Sequence, residues 1–472
     1  MKNRIFLLLT VLLLIFALAA CGGTDSSSGG KGSAPSGAKE RPDGEMTRPE
    51  ASMDVSGDYS GYDGYVISDG SVGEGNGIDR QIGAGQITAS AWDDNENYDE
   101  WKALFDEPVV ESDGNEGTKV VSAGGKFLPY KVDDWGAMTQ RRVKVTVTKG
   151  GEPVAGAEAS FFDDEQREYR ARTNASGVAY LFPSAGQGRV IVRSGEVEAT
   201  ADFTAEDRDL IVEVEEAIEK ENVIKLMLVV DATGSMGDEM EYLAVELADV
   251  IRRVSEESDA RIDLALLFYR DKHDEEEFAY TAFRTVTEET GLSEQLAVLA
   301  AQEAIGGGDY PEAMDQAMEM AVNEDWGEEN ATRIIILVLD APPHDKADKK
   351  STYASALTIA AAKGIRVCPV LCSGADTLCE YVVRLGALCT GGTFVYVTDD
   401  SGIGGEHLDP EIPDVPVEYL NELLIRVIIG HHTGDFGTPK SIYGDDKGQQ
   451  TEPGKEPEEE GDDSALIEEP SE

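Results

Sequence analysis

What this chain has least of, for its size, is positive charge: 40 Lys and Arg stand against 93 Asp and Glu in 472 residues, a formal net charge of −53. Such a field repels phosphate backbones and anionic headgroups, which excludes nucleic acid held by counterion release as a partner. It concentrates divalent cations at the surface instead. Cysteine is scarce as well, with five in all. No C-x-x-C pair occurs and no histidine stands at ligand spacing, which argues against zinc held by thiolates. Cys368, Cys372, Cys379 and Cys389 fall in apolar contexts; they read as buried thiols or as one or two disulfides of an exported chain. Long apolar runs are absent save one, IFLLLTVLLLIFALAA at 5–20, which follows Lys2 and Arg4.

That run, with its positive start and small exit residues, reads as a secretion signal over residues 1–20. Leu18-Ala19-Ala20-Cys21 resembles the lipobox of bacterial lipoproteins. The resemblance implies cleavage before Cys21, lipidation of that cysteine, and a lipid anchor in a bacterial cell membrane, facing outside the cytoplasm. Residues 21–84 are rich in Gly, Ser and Asp and carry almost no apolar periodicity, so they read as a flexible tether. About 60 such residues reach roughly 45 Å. At the other end, 431–472 reads as a disordered acidic tail.

Two or three domains are expected between tether and tail. Residues 85–139 form a short aromatic and acidic segment. Its GQITASAWDDNENYDEWKALF resembles a stretch found ahead of von Willebrand-type modules in some large bacterial surface proteins. Its aromatics are expected to dock on the next domain. Over 140–216, alternating strands punctuated by Gly, Pro and Asn predict a small antiparallel β-sandwich. GEPVAGAEASF followed by TNASGVAYL resembles the carboxypeptidase-regulatory or Ig-like spacers of bacterial surface proteins.

From 222 to 430 the pattern changes to continuous Ile/Val/Leu strands alternating with amphipathic helices. Strands such as IKLMLVVD (224–231), IDLALLFYRD (262–271) and RIIILVLD (333–340) predict an α/β fold, mostly parallel, with helices on both faces. In EMEYLAVELADVIRRVSEE (239–257), Leu243, Val245, Leu247 and Val250 or Ile251 are expected to face inward. Ligands of such folds bind beyond the carboxyl ends of the strands.

There the first strand runs into Asp231, Thr233 and Ser235, three oxygen-bearing side chains at every second position. A phosphate loop would need more glycines and a lysine, and none is present. A serine nucleophile elbow, G-x-S-x-G, is broken by Thr233, and His344 is the single histidine near a strand end, so no catalytic set is expected. A hard cation fits best. Mg²⁺ takes about six oxygens and one or two carboxylates, and alternate positions of an extending strand line up on one side. Asp340 ends a second strand, and the loop AIGGGDYPEAM (304–314) delivers Asp309, with Glu312 close by.

Asp231-Ala232-Thr233-Gly234-Ser235-Met236 resembles the D-x-S/T-x-S motif of the von Willebrand factor A (vWA) domain, and 222–430 resembles its whole fold. The resemblance implies a metal-ion-dependent adhesion site. Thr233 and Ser235 would ligate Mg²⁺, or Mn²⁺ or Ca²⁺, directly; Asp231 and Asp340 would act directly or through water. The implied partner is a protein ligand presenting a carboxylate, and no catalysis is implied. Where the family usually has threonine in the middle loop this chain offers Asp309, either as a third carboxylate on the metal or as a supporting residue or helix cap. A domain whose surface positions a partner without metal, in an envelope assembly or scaffold, is the alternative.

Overall fold

The computed structural model describes residues 83–444 apart from 108–109, 113–117, 121–124, 131–138, 163–167, 273, 275–276, 288, 345–346, 409, 411 and 413–414. The expected signal, Cys21, most of the tether and most of the tail lie outside the described residues.

The first described elements are strand β1 (Thr88–Trp92) and helix α1 (Tyr98–Ala103). Next come the strands β2 (Val143–Lys149), β3 (Glu152–Pro153), β4 (Glu158–Phe162), β5 (Glu168–Arg172), β6 (Val178–Leu181), β7 (Gly188–Ser194), β8 (Val197–Phe203) and β9 (Asp209–Glu213). They build two four-stranded sheets, β8-β7-β4-β5 and β9-β2-β3 with β6 on β2. Alternate residues such as Val143, Val145, Val147, Val190 and Val192 share one buried cluster. One pair departs from the antiparallel expectation: β9 runs parallel to β2, Asp209 opposite Lys144. The chain reaches β9 from a strand of the other sheet, so no tight hairpin forces it antiparallel.

The α/β region follows, with β10 (Val223–Asp231), α2 (Met240–Ser258), β11 (Arg261–Tyr269), β12 (Phe278–Thr285), α3 (Glu289–Ala300), α4 (Met314–Asn323) and β13 (Thr332–Leu339). It ends with α5 (Ala347–Lys363), β14 (Ile365–Leu371), α6 (Thr377–Thr390), β15 (Phe394–Val397), β16 (Glu418–Tyr419) and α7 (Leu420–Thr433). One eight-stranded sheet has the order β12-β11-β10-β13-β14-β15-β1-β16. Its five central strands, β11-β10-β13-β14-β15, are parallel. All nine residues of β10 are buried, and successive side chains feed opposite faces. Leu226, Leu228 and Val230 pack with α2 and α7. Met227 and Val229 pack with α4, α5 and α6. Among the described residues no helix is long and apolar enough to cross a membrane.

Two strands were not expected. FAYTAFRT forms edge strand β12, antiparallel to β11. The aromatic segment skips the small sheets and completes the large one: β1 lies antiparallel between β15 and β16. Ile87 and Ala89 enter one core face, while Trp101, Phe105 and Phe127 enter the other beside Tyr381. Polar contacts fix it there. Asp94 takes two hydrogen bonds from buried Arg384, at 2.6 and 3.0 Å. The Glu246 carboxylate accepts the N–H groups of Gly85, Gln86 and Ile87 at 2.8–3.1 Å. Leu243, Leu247, Val250 and Ile251 of α2 face inward as expected, but Val245 is only half-buried and its neighbour Glu246 takes the buried place.

Candidate metal centre at the strand ends

Asp231 is the last residue of β10 and has no exposed surface. Its Oδ1 accepts the Thr233 amide at 2.9 Å and the Thr233 hydroxyl at 2.7 Å. The Thr233 and Ser235 hydroxyl oxygens lie 3.1 Å apart. The three side chains thus form one connected run of oxygens, buried at Asp231 and exposed at Ser235. The other oxygen, Asp231 Oδ2, is buried without a well-formed hydrogen bond among the described residues, although the buried Tyr269 hydroxyl, equally uncommitted, approaches the carboxylate.

The glycine-rich loop is tied to this run through backbone bonds, Ile305 N–H to Ala232 O at 3.0 Å and Gly234 N–H to Gly306 O at 3.2 Å. Gly307 has φ of +76°. A Cβ there would sit 3.0 Å from Glu312 Oε1 and 3.3 Å from Thr233 Cβ, so the close approach of these two residues requires glycine. Glu312 N–H donates to Pro342 O at 3.0 Å, which brings Glu312 beside the loop that follows β13. In that loop Asp340 is buried. Tyr310 Oη donates to the Asp340 carbonyl at 3.3 Å and accepts the Asp376 N–H at 2.7 Å, joining the middle loop to the start of α6.

These carboxyl groups feel one another. Burial, then the charge of Asp340, raises Asp231 to about 7 against the opposing contacts from Thr233 and Tyr269. Burial, then Asp231, Asp271 and Asp340, raises Glu312 to about 9. Glu312 is buried and its Oε2 has no hydrogen bond among the described residues. The donor set of buried carboxylates and hydroxyls, with an unsatisfied oxygen on Asp231, fits a hard divalent cation.

Asp309 is placed differently. It is exposed, and its carboxylate lies with Asp271 and His344, one ligand atom from each within 4.8 Å of the others. Glu312, from the same loop, is coupled by charge to Asp231 and Asp340. The spacing of the loop shows both acids but not which one turns inward. The isolated bridge between Glu312 and Pro343 settles that, and no local pattern announces it. The four late cysteines are free thiols, three of them buried. Burial pushes Cys368 up to about 12.

Residues 225–379 match the family model of the von Willebrand factor A domain, so the chain carries a vWA domain. Over 141 residues it is 27% identical to an ariadne-like RING finger protein of Acanthamoeba polyphaga mimivirus, covering 29% of this chain and 13% of that relative's length. Among solved structures it is similar to BatB from Bacteroides thetaiotaomicron, at 16% identity over 38% of this chain and 93% of that one, TM-score 0.29. It is also similar to the pilus adhesin SpaC from Lactobacillus rhamnosus GG in its open conformation, at 10% identity over 69% and 42%, TM-score 0.33.

Proposed function

We infer that this chain is a non-catalytic, cation-dependent protein-binding module, held at a bacterial cell membrane by a lipid on Cys21. The observation that carries this reading is the Asp231 carboxylate, buried at a strand end with one oxygen committed to Thr233 and the other unsatisfied. Asp231, Thr233, Ser235 and Asp340 would hold Mg²⁺, or Mn²⁺ or Ca²⁺, with Glu312 as the nearby third acid. The bound cation would supply an open coordination position for a carboxylate on a protein ligand. The chain's own part is to orient the oxygens: Asp231 fixes the Thr233 hydroxyl, and Thr233 fixes Ser235. A third carboxylate neutralises more of the ion's charge, which tightens ion binding and weakens the pull on an acidic ligand. The tether of residues 21–84 would hold the domain away from the bilayer surface.

The test is capture from solubilised envelope with and without a chelator, using the wild-type chain and Asp231→Ala. A partner retained only with metal and only by the wild-type chain supports the reading; a partner retained equally in all arms overturns it. One observation favours a second reading, a scaffold without metal at its interface. Asp231 raised to about 7 and Glu312 to about 9 allow the acidic cluster to persist protonated near neutral pH. Chelator-insensitive capture is the outcome that reading expects.

A further inference from the structure

Asp271, Asp309 and His344 are not used by the cation site above, and they come from three different loops. Asp271 follows β11, Asp309 belongs to the glycine-rich loop, and His344 lies beyond β13. Asp271 and His344 are buried at 6% and 9% exposure, while Asp309 is exposed, so the cluster is walled on one side and open on the other. His344 Nε2 is 3.0 Å from Asp271 Oδ1. Two donors at about 2.1 Å from one tetrahedral ion stand about 3.4 Å apart, so the pair needs to part by only about 0.4 Å to hold one.

The loops are stapled for the purpose by a fourth residue. Asp274 Oδ2 accepts the N–H of Asp271 at 3.2 Å and of Gly307 at 3.0 Å, so one carboxylate holds together the two loops that carry Asp271 and Asp309. A simple brace between His344 and Asp271 accounts for the 3.0 Å contact. It leaves the second carboxylate, Asp309, with an oxygen within 4.8 Å of both, and no part in the brace. A cation among the three would give all of them a part.

We propose that Asp271, Asp309 and His344 form a second divalent-cation site, beside the first, for a borderline transition ion such as Zn²⁺. The imidazole decides the class: Mg²⁺ and Ca²⁺ are held by oxygens, whereas imidazole suits zinc and its neighbours. The assignment also gives Asp309 its role, one distinct from ligation at the strand-end site. It does not rest on the adhesion reading, since none of its residues is a ligand there.

The experiment is equilibrium dialysis of the full chain against Zn²⁺ in saturating Mg²⁺, with bound metal read by elemental analysis. About one equivalent of Zn²⁺ is expected in the wild-type chain and in Asp231→Ala. His344→Ala and Asp309→Asn should each weaken uptake at least about tenfold. Because Asp309 is exposed, its variant should keep the wild-type thermal unfolding, which guards against loss of fold in the histidine variant. No Zn²⁺ uptake by the wild-type chain, uptake unchanged in both His344→Ala and Asp309→Asn, or uptake abolished by Asp231→Ala alone overturns the proposal. Mg²⁺ binding lost in Asp231→Ala while Zn²⁺ is retained separates the two sites, so either can fail without the other.

Discussion

The two ends of the large sheet handle buried charge in opposite ways. At the amino ends of the parallel strands lie Arg333 and Arg366, both buried, and their donors are committed. Arg333 bonds the carbonyls of Trp326, Gly327, Glu329 and Lys363 at 2.6–3.3 Å. Arg366 bonds those of Thr390 at 2.6 Å and Arg172 at 2.7 Å, and so ties the large sheet to the smaller ones. At the carboxyl ends lie Asp231 and Glu312, each with a buried oxygen that has no well-formed hydrogen bond among the described residues. A buried charge whose bonds are complete is structural; one left incomplete asks for a ligand.

The largest expected effect is at the satisfied end. Arg333→Ala leaves four carbonyls without their donor and should lower stability by about 3 kcal/mol, read from urea unfolding, while Mg²⁺ uptake by the folded chain is unchanged. If Mg²⁺ uptake fell with stability intact, the division between the two ends would collapse.

Next comes the unsatisfied end. Asp231→Asn removes a buried charge that faces Asp340 but keeps an acceptor for Thr233. The metal-free chain should gain about 2 kcal/mol near pH 8, and thermal stabilisation by Mg²⁺ should vanish. A loss of metal-free stability would mean that the Asp231 charge is already compensated.

A smaller effect concerns acid. Burial, then Arg366, depresses His431 to about 3, and burial, then Lys220, depresses His432 to about 4. The unfolded chain therefore binds more protons between about 6.5 and these values. The histidines' share of the stability is fully present above about 6.5 and is lost as pH falls toward 3. Asp231 and Glu312, raised to about 7 and about 9, push the other way as pH falls. The check is therefore the change in urea midpoint from about pH 7 to about pH 4.5 in the wild-type chain against a His431→Gln, His432→Gln variant; an equal change in both would contradict the neutral, buried imidazoles. Least affected should be Arg189→Ala. Its exposed pair with Asp202 adds nothing measurable to a thermal melt, in contrast to the buried arginines.

Much of this contrast is legible in the chain. A mostly apolar run from Val223 into Asp231, and a second apolar run ending in Asp340, announce parallel strands whose tips carry carboxylates. What stays hidden is set by distance along the chain. Ala89 pairs with Val397, three hundred residues on. No strand is expected over ITASAW, and nothing local names its partner. Likewise Asp271, Asp309 and His344 lie in three separate loops, and only the folded sheet brings them together. The middle loop shows two acids; the backbone contact of Glu312 with Pro342 selects which of them sits against Asp231.

The most direct test of the central claim, that the strand ends hold a cation, is calorimetric titration of the full chain with Mg²⁺ at neutral pH, wild-type against Asp231→Asn. The account predicts saturable uptake at one site in the wild-type chain and none in the variant. Absence of uptake by the wild-type chain, or equal uptake by both, would contradict it.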